Sequence, residues 1–203
     1  MNGKCSVATK PIIWLMAVSG CLLVGCTQQN RPAASPQGTG DIIRQAITTL
    51  SQSVETDPRA GEAVEKLRSV ELSALLAGLR PYLDSTTNTI RRSAIYALWK
   101  GGFADIKPLV PPLQKLLTHD EDLTRGMATL ALGQNRVAAS FDALTTMLKE
   151  DTSGYARRCA ASALGLLGDP RAVSALKAAL KDTDPLVSQN SQSALEMLKT
   201  TKP

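Results

Sequence analysis

The sequence predicts an all-α fold, an α-solenoid of about four to five stacked helix pairs. The first observation is a ladder of leucines that recurs every 31 to 34 residues, at Leu67, Leu98, Leu132, Leu164 and Leu195. The second is the composition: hydrophobic residues make up 43% of the chain but aromatic residues only 3%, so the core must be aliphatic. The third is the punctuation of apolar stretches by glycine and proline, without the alternation typical of strands.

The first 25 residues have the pattern of a secretory signal. Lys4 and Lys10 precede an apolar run over residues 11–25. That run is too short to cross ~30 Å of hydrocarbon at about 1.5 Å per helical residue. Its end is rich in small residues, as a cleavable signal requires. We therefore expect residues 1–25 to be a targeting segment that is removed.

The segment Leu23-Val24-Gly25-Cys26 resembles the lipobox of bacterial lipoproteins. The resemblance implies a diacylglycerol on the sulfur of Cys26, cleavage before it, and a further fatty acid such as palmitate on the new amino group. The next residue is Thr27 rather than Asp, which resembles the pattern sent to the outer membrane. We expect a lipid-anchored protein of the cell envelope, on the periplasmic side of the outer membrane if the host has two membranes. An ordinary signal peptide with a chance cysteine is the alternative.

Residues 27–40 have the composition of a flexible tether. They read TQQNRPAASPQGTG, which is polar and lacks any apolar period. Residues 26–40 are thus predicted to be the lipidated cysteine and its tether. A flexible chain of this length would hold the following domain roughly 20 Å from the membrane.

The repeat domain is predicted to span residues 41–203, and its first helix residues 41–54. This segment places Ile42, Ile43, Ala46, Ile47, Leu50 and Val54 on one helical face. We expect the helix to cover the open N-terminal end of the solenoid. The pattern leaves open whether it is a cap or part of the first repeat, paired with the helix at 61–70.

Each following unit is predicted to be a helix–turn–helix. The first helix carries the ladder leucine, with small residues before it that let neighbouring helices approach closely. The second helix carries two leucines four residues apart. The predicted first helices are 61–70, 88–100, 122–134, 154–166 and 185–198, and the predicted second helices are 72–83, 108–118, 140–149 and 170–181. The unit of Leu98 has three extra residues, which we expect in the loop near residues 101–108.

Residues 155–173, YARRCAASALGLLGDPRAV, give the best match to a known repeat. The part from Ala163 to Val173 resembles the HEAT-like repeats first described in phycobilisome bilin lyases. Over residues 61–199 the chain therefore resembles a HEAT/armadillo-type solenoid of the PBS-lyase type. The resemblance is specific for the fold but not for function, because such repeats serve many unrelated tasks.

An arginine recurs seven residues before the ladder leucine, at Arg91, Arg125 and Arg157, with Ser188 in the last unit. The resemblance implies that this arginine braces the next repeat through an acid near a helix start. The acids in reach are Asp120 or Asp122, Asp151, and Asp182 or Asp184. A role in binding is the alternative.

The sequence shows no recognisable catalytic set. His119 is the only histidine, and there is neither a nucleophile motif nor a glycine-rich phosphate loop. His119 with Asp120, Glu121 and Asp122 could form a weak metal cluster, but a solvated helix junction explains them more simply. We therefore predict no enzyme, no metal and no cofactor. Cys159 is interpreted as a small core residue, with a reactive thiol or chromophore contact as the alternative.

The second helices are expected to line the concave side and to bind a partner. Exposed positions along them are predicted at Arg80, Gln114, Thr145, Lys149, Lys177 and Lys181, which make a mildly basic surface. Beyond the signal, 21 basic residues stand against 18 acidic ones, an excess too small to indicate nucleic acid. We predict a membrane-anchored extracytoplasmic scaffold or adaptor for a protein partner, without a small-molecule substrate. The alternative, by analogy with bilin lyases, is a chromophore or cofactor lyase or its accessory.

Overall fold

The computed structural model of the protein describes residues 36–53 and 56–200. Over these residues the chain forms ten α-helices and no strand, which confirms the predicted all-α class. The predicted signal segment, Cys26 and residues 27–35 lie outside the described residues. Among the described helices, none has the length and hydropathy needed to span a bilayer.

The helices alternate between two sets, as predicted. The helix α1 is Pro36–Gln52, and the first helices of the units are α2 (Pro58–Arg68), α4 (Asn88–Gly101), α6 (Asp122–Gln134), α8 (Gly154–Leu167) and α10 (Pro185–Thr200). The second helices are α3 (Leu72–Leu83), α5 (Val110–Lys115), α7 (Phe141–Glu150) and α9 (Val173–Ala179). Short 3-10 turns flank α5 at Lys107–Leu109 and Leu116–Thr118, and precede α7 at Ala138–Ser140 and α9 at Pro170–Ala172.

The helix α1 begins at Pro36, earlier than the predicted start at residue 41. Proline suits the first turn of a helix because the backbone N–H that it lacks would have no partner there. Residues 36–40 therefore belong to a helix and not to the predicted tether. α1 packs against α2, α3 and α4. Its contact with α3 is close, because a Cβ built on Gly78 would lie only 2.4 Å from Ile43 Cδ1. The helix thus covers the N-terminal end and also shares the core of the first unit.

The first helices stack directly on one another through small residues. Ladder leucines Leu67, Leu98, Leu132 and Leu164 are fully buried, and so are Ala97, Ala131 and Ala163 beside them. Gly133 of α6 lies against Ala163 of α8, and Gly165 of α8 lies against Ala194 of α10. Where α6 and α8 have these glycines, α10 has Glu196, exposed and paired with Lys199 at 2.8 Å. The last first helix therefore presents a polar residue at the position where the preceding helices pack against a neighbour.

Three first helices end in a residue with left-handed backbone. Gly102 after α4 has φ 56°, Arg136 after α6 has φ 50°, and Gly168 after α8 has φ 76°. At α6 the Arg136 N–H donates to Gly133 O at 3.0 Å and the Val137 N–H donates to Leu132 O at 3.0 Å. This pair of bonds is a Schellman motif, which glycine normally completes. An L-residue there carries a steric penalty of about 1–2 kcal/mol.

The predicted insertion lies in the turn between α4 and α5. Residues 102–106 separate α4 from the next 3-10 turn, whereas residues 135–137 do so after α6 and residues 168–169 after α8. The longer turn carries Phe103 against the core and buries Ile106. The expected position of the three extra residues is therefore confirmed.

Candidate partner-binding face

Arginine–aspartate pairs link successive units along one edge of the stack. Arg125 donates from Nε and Nη2 to the two carboxylate oxygens of Asp151, at 2.8 Å each. Arg157 donates to Asp182 in the same way, at 2.8 and 2.7 Å. These side chains are largely buried. The bracing role implied for the arginine column is thus confirmed for Arg125 and Arg157.

Each aspartate of these pairs also accepts a backbone bond from the residue that precedes the following helix. The Ser153 N–H donates to Asp151 and the Asp184 N–H donates to Asp182, both at 2.8 Å. Burial alone would raise the pKa of Asp151, but the bonds from Arg125 and Ser153 outweigh burial and hold this pKa below its usual range. The bond from Arg157 lowers the pKa of Asp182 despite burial. Both carboxylates are therefore ionised structural braces.

The first brace uses a histidine where the others use aspartate. The Arg91 guanidinium lies 3.0 Å from His119 Nε2, and the Glu121 N–H donates to His119 Nδ1 at 3.0 Å. The sequence offered Asp120 or Asp122 for this place, and that expectation is wrong. A neutral imidazole has one acceptor nitrogen, so it cannot accept both bonds as a carboxylate does. Buried Arg91 is instead held by Asn88 Oδ1 at 2.6 Å and by Ser85 O.

Replacing His119 with Asp is expected to raise the free energy of unfolding by about 1 kcal/mol, because a carboxylate accepts from both Arg91 and the Glu121 N–H. Urea unfolding at pH 7 measures the gain. The gain should disappear below about pH 4, where the new carboxyl takes up a proton. His119→Asn, neutral and similar in reach, is the control, and a His119→Asp protein no more stable than this control would contradict the interpretation.

The residues around His119 do not converge on a common point. Glu121 pairs with Arg92 at 2.7 Å, and Asp122 accepts from the Ser153 hydroxyl at 2.7 Å. Among the described residues, no group of three or more His, Cys, Asp or Glu side chains is placed to hold a metal ion. Glu121 and Asp122 thus serve as contacts between units.

Cys159 is buried in the first-helix stack, with 5% of its surface exposed. Burial raises the pKa of its thiol to about 11. A Cβ built on Gly126 of α6 would lie 3.0 Å from the Cys159 sulfur, so this sulfur fills space between α6 and α8. An uncharged, enclosed thiol supports the interpretation of Cys159 as a small core residue.

The six residues predicted to bind a partner differ in what they contact. We call the surface that carries them the second-helix face: Arg80, Gln114, Thr145, Lys149, Lys177 and Lys181. Arg80 is exposed and donates to Asp84 at 3.2 Å. Gln114 donates to Ser140 Oγ at 3.1 Å and so ties α5 to the next unit. Thr145 is half-buried, and its hydroxyl has no partner in the described part of the chain.

The three lysines of this face are exposed, and none has an ion-pair partner within residues 36–53 and 56–200. Lys149 and Lys181 flank a groove of about 220 Å³ between α7 and α9. The apolar lining of this groove is Leu148, Ala175, Ala178 and Ala179. Asp182 also borders the groove but is engaged by Arg157. The C-terminal end of the face therefore combines an apolar floor with uncompensated positive charge.

The N-terminal end of the same face has a larger groove of mixed charge. It has a volume of about 580 Å³ and lies between α3 and the turn that precedes α5. Its apolar lining includes Leu72, Leu76, Pro108 and Leu109, and its polar lining includes Glu71, Arg80 and Asp105. The second-helix face thus changes from mixed charge to positive charge along the stack.

Sequence reasoning overlooked a third cavity, on the edge where the turns after α4 and α6 meet. This cavity of about 500 Å³ includes Lys107, Asn135 and Arg136 in its lining. Aligning the ends of the first helices would have drawn attention to this edge, because Arg136 stands where the neighbouring units have Gly102 and Gly168. The cavity itself could not be predicted, because it depends on how two turns from different units lie beside each other.

Comparison with known proteins supports the repeat fold. The family model described as HEAT repeats matches residues 72–161 and 110–196. Deoxyhypusine hydroxylase-B of Oryza sativa subsp. japonica is 31% identical over 159 residues, which cover 74% of this chain and 47% of that protein. The chain thus spans less than half the length of this curated relative.

Two solved structures show the same fold. Human deoxyhypusine hydroxylase is 20% identical with a TM-score of 0.52, and the match covers 81% of this chain and 66% of that one. The CpcE–CpcF complex of phycocyanin lyase from Nostoc sp. is 21% identical with a TM-score of 0.54, covering 85% of this chain and 68% of that one. The second likeness confirms the resemblance to the repeats of bilin lyases.

The prediction that the protein is not an enzyme is wrong in the light of these relatives, because the curated relative and the human structure are both hydroxylases. That prediction was based on the single histidine and on the lack of a nucleophile motif and of a glycine-rich phosphate loop, which are contiguous in sequence. A solenoid brings together side chains from equivalent positions of different repeats, so its functional groups need not form such a motif. With the repeat model matched over most of the helical domain and the stack built as its pattern requires, the chain belongs to the HEAT-repeat family.

Proposed function

We propose that the protein is a lipid-anchored scaffold of the cell envelope that binds a protein partner through its second-helix face. The observation that carries this proposal is the contrast between the edge with the arginine–aspartate pairs and the second-helix face. Arg125 and Arg157 are engaged in braces between units, whereas Lys149, Lys177 and Lys181 have no ion-pair partner in the described part of the chain. HEAT and armadillo solenoids use extended surfaces of this kind to bind proteins.

The charge of the second-helix face indicates the chemistry of its partner. Lys149 and Lys181 stand on either side of an apolar floor, so a bound segment can bury aliphatic groups between two cations. Acidic side chains beside apolar ones complement such a groove, and opposite charge accelerates their encounter. The partner proposed here is therefore a protein with an acidic, partly apolar segment.

The anchoring part of the proposal depends on Leu23-Val24-Gly25-Cys26. Two or three acyl chains on Cys26 would hold the protein stably on a membrane, whereas a single chain gives marginal binding. The expected place is the periplasmic side of the outer membrane in a host with two membranes. Intact mass of the membrane-extracted protein, beside Cys26→Ala, tests this part. A wild-type protein that keeps residues 1–25 and lacks acyl mass would refute it.

A charge-reversal experiment tests the binding face. Lys149→Glu with Lys181→Glu should lower recovery of cross-linked partners from envelope membranes by about tenfold, because two attractive contacts become repulsive. Lys66→Glu with Lys199→Glu makes the same change in net charge at exposed positions elsewhere on the surface. Equal recovery for the two double variants would mean that the second-helix face is not the binding surface.

A second candidate function is enzymatic, and the hydroxylase relative favours it. Incubating the full chain with a deoxyhypusine-containing protein and measuring the gain of one oxygen atom by mass spectrometry tests a hydroxylase role. Incubation with a bilin and a search for a coloured covalent adduct tests a lyase role. A product that depends on the chain in either assay would place the enzymatic function ahead of the scaffold.

A further inference from the structure

A cavity of about 500 Å³ lies on the edge of the stack, outside the lysine-flanked groove. One wall is the turn after α4 and the other is the turn after α6, so two successive units build it. Its apolar lining includes Ile106, Val110, Pro111, Val137 and Ala138. Its cationic groups are Lys107 and Arg136. The cavity therefore offers apolar walls together with charged donors.

Arg136 is held in a backbone conformation that disfavours its residue type. Its φ of 50° is close to the values of 56° for Gly102 and 76° for Gly168, which occupy the equivalent positions. Glycine adopts such a φ without a steric penalty because it has no Cβ. An arginine therefore stands where the two neighbouring units use glycine. Strained residues of this kind cluster at active sites, ligand clamps and switch regions.

The arginine side chain gains nothing inside the protein that would offset the strain. Its guanidinium is exposed and has no hydrogen-bond or ion-pair partner among the described residues. Lys107 differs, because Asp105 accepts from the Lys107 N–H at 3.0 Å and pairs with Lys107 Nζ at 3.3 Å. Arg136 is thus the uncompensated charge of the cavity.

Two departures from the repeat pattern meet at this cavity. The turn at residues 102–106 is longer than its equivalents, and Ala104, Asp105 and Ile106 of this turn line the cavity. The facing turn carries Arg136 in place of glycine. When a repeat protein departs from its own sequence pattern at positions where the departure adds no stabilising contact, those positions are candidates for function.

We propose that this cavity binds the carboxylate of an acidic side chain from a protein partner, with Arg136 as its principal donor. The planar guanidinium fork matches a carboxylate in two parallel hydrogen bonds. The walls formed by Pro111, Val137 and Ala138 take the methylene groups of a glutamate. Gln114 of the second-helix face donates to Ala139 O at 3.4 Å, and Ala139 lines the cavity, so the two surfaces adjoin.

Binding of fluorescein-labelled octaglutamate to the detergent-extracted full chain, followed by fluorescence anisotropy, tests the proposal. Arg136→Gly should weaken binding about tenfold, which corresponds to about 1.4 kcal/mol, because the two-bond contact of the guanidinium with the carboxylate is lost. The same variant should melt at a higher temperature than the wild type, because glycine relieves the strain. Arg44→Ala, which removes an exposed arginine on α1, should bind as the wild type does.

The outcomes separate this site from the lysine-flanked groove. Weak binding by Arg136→Gly together with unchanged binding by the Lys149→Glu, Lys181→Glu protein supports the cavity alone, and the reverse result supports the groove alone. Wild-type protein that does not prefer octaglutamate to octalysine, or Arg136→Gly that binds as well as wild type, overturns the proposal. An Arg136-dependent response to inorganic phosphate but not to octaglutamate would also overturn the carboxylate assignment.

Discussion

Replacing Asp151 with alanine is expected to lower the free energy of unfolding by about 3 kcal/mol. Asp151 accepts hydrogen bonds from Nε and Nη2 of Arg125 and also from the Ser153 N–H, so one carboxylate joins two units and fixes the turn before α8. The Asp151 backbone carbonyl accepts from Arg157 Nη1 at 3.0 Å, which connects this brace to the next. Alanine would leave a largely buried guanidinium without its counter-charge. Urea unfolding at pH 7, followed by circular dichroism, measures the loss.

The effect of Asp151→Ala should depend on pH in a defined direction. Because the folded protein lowers the pKa of Asp151, its stabilising contribution is complete above the ordinary aspartate pKa near 4. This contribution is lost as the pH falls through the lower folded value, so wild type and variant should converge in acid. Asp84→Ala is the matched control, since its pair with Arg80 is exposed and should contribute less than about 0.5 kcal/mol. Losses of equal size from the two variants would show that Asp151 is no brace.

The brace illustrates what a repeating sequence allows one to predict. Arg125 and Arg157 stand at one position of the repeat, and acids follow at a nearly constant distance, so their pairing could be expected before the structure. The unit of α4 and α5 departs from the rule, because His119 stands where the other units have an acid and lies against Arg91. Periodicity thus predicts a contact only as far as the period holds.

Two kinds of feature could not be predicted from the sequence. One is which local structure a segment adopts, and the other is how neighbouring units contact each other. Helix α1 extends back to Pro36, where a composition rich in Pro, Gly and Gln indicated a tether. Among the predicted binding residues, Gln114 is half-buried in a contact between units, whereas Lys149, Lys177 and Lys181 are exposed. Which polar residues of a helix remain free is decided by the adjoining unit, and a single-helix pattern does not contain that information.

Replacing Gly133 with alanine is expected to destabilise the protein by about 3 kcal/mol, because the contact of α6 with α8 leaves no room for a methyl group. An ideal Cβ would lie 2.5 Å from Ala163 Cα, 2.6 Å from its Cβ and 2.7 Å from its carbonyl oxygen. None of these atoms can move by side-chain rotation, so the two helices would have to separate. For a domain of this size, such a loss corresponds to a fall in melting temperature of about 6–12 °C.

Gly61→Ala supplies the matched control for this prediction. Gly61 lies within α2, and an ideal Cβ there meets nothing within 4 Å. The better helix propensity of alanine should therefore raise stability, by up to about 1 kcal/mol. The same substitution thus has opposite expected signs at two helical glycines, and thermal unfolding of both variants measures them. A stabilised Gly133→Ala protein would mean that α6 and α8 are further apart in solution. The alanine faces of the first helices would then owe their composition to helix propensity and not to close stacking.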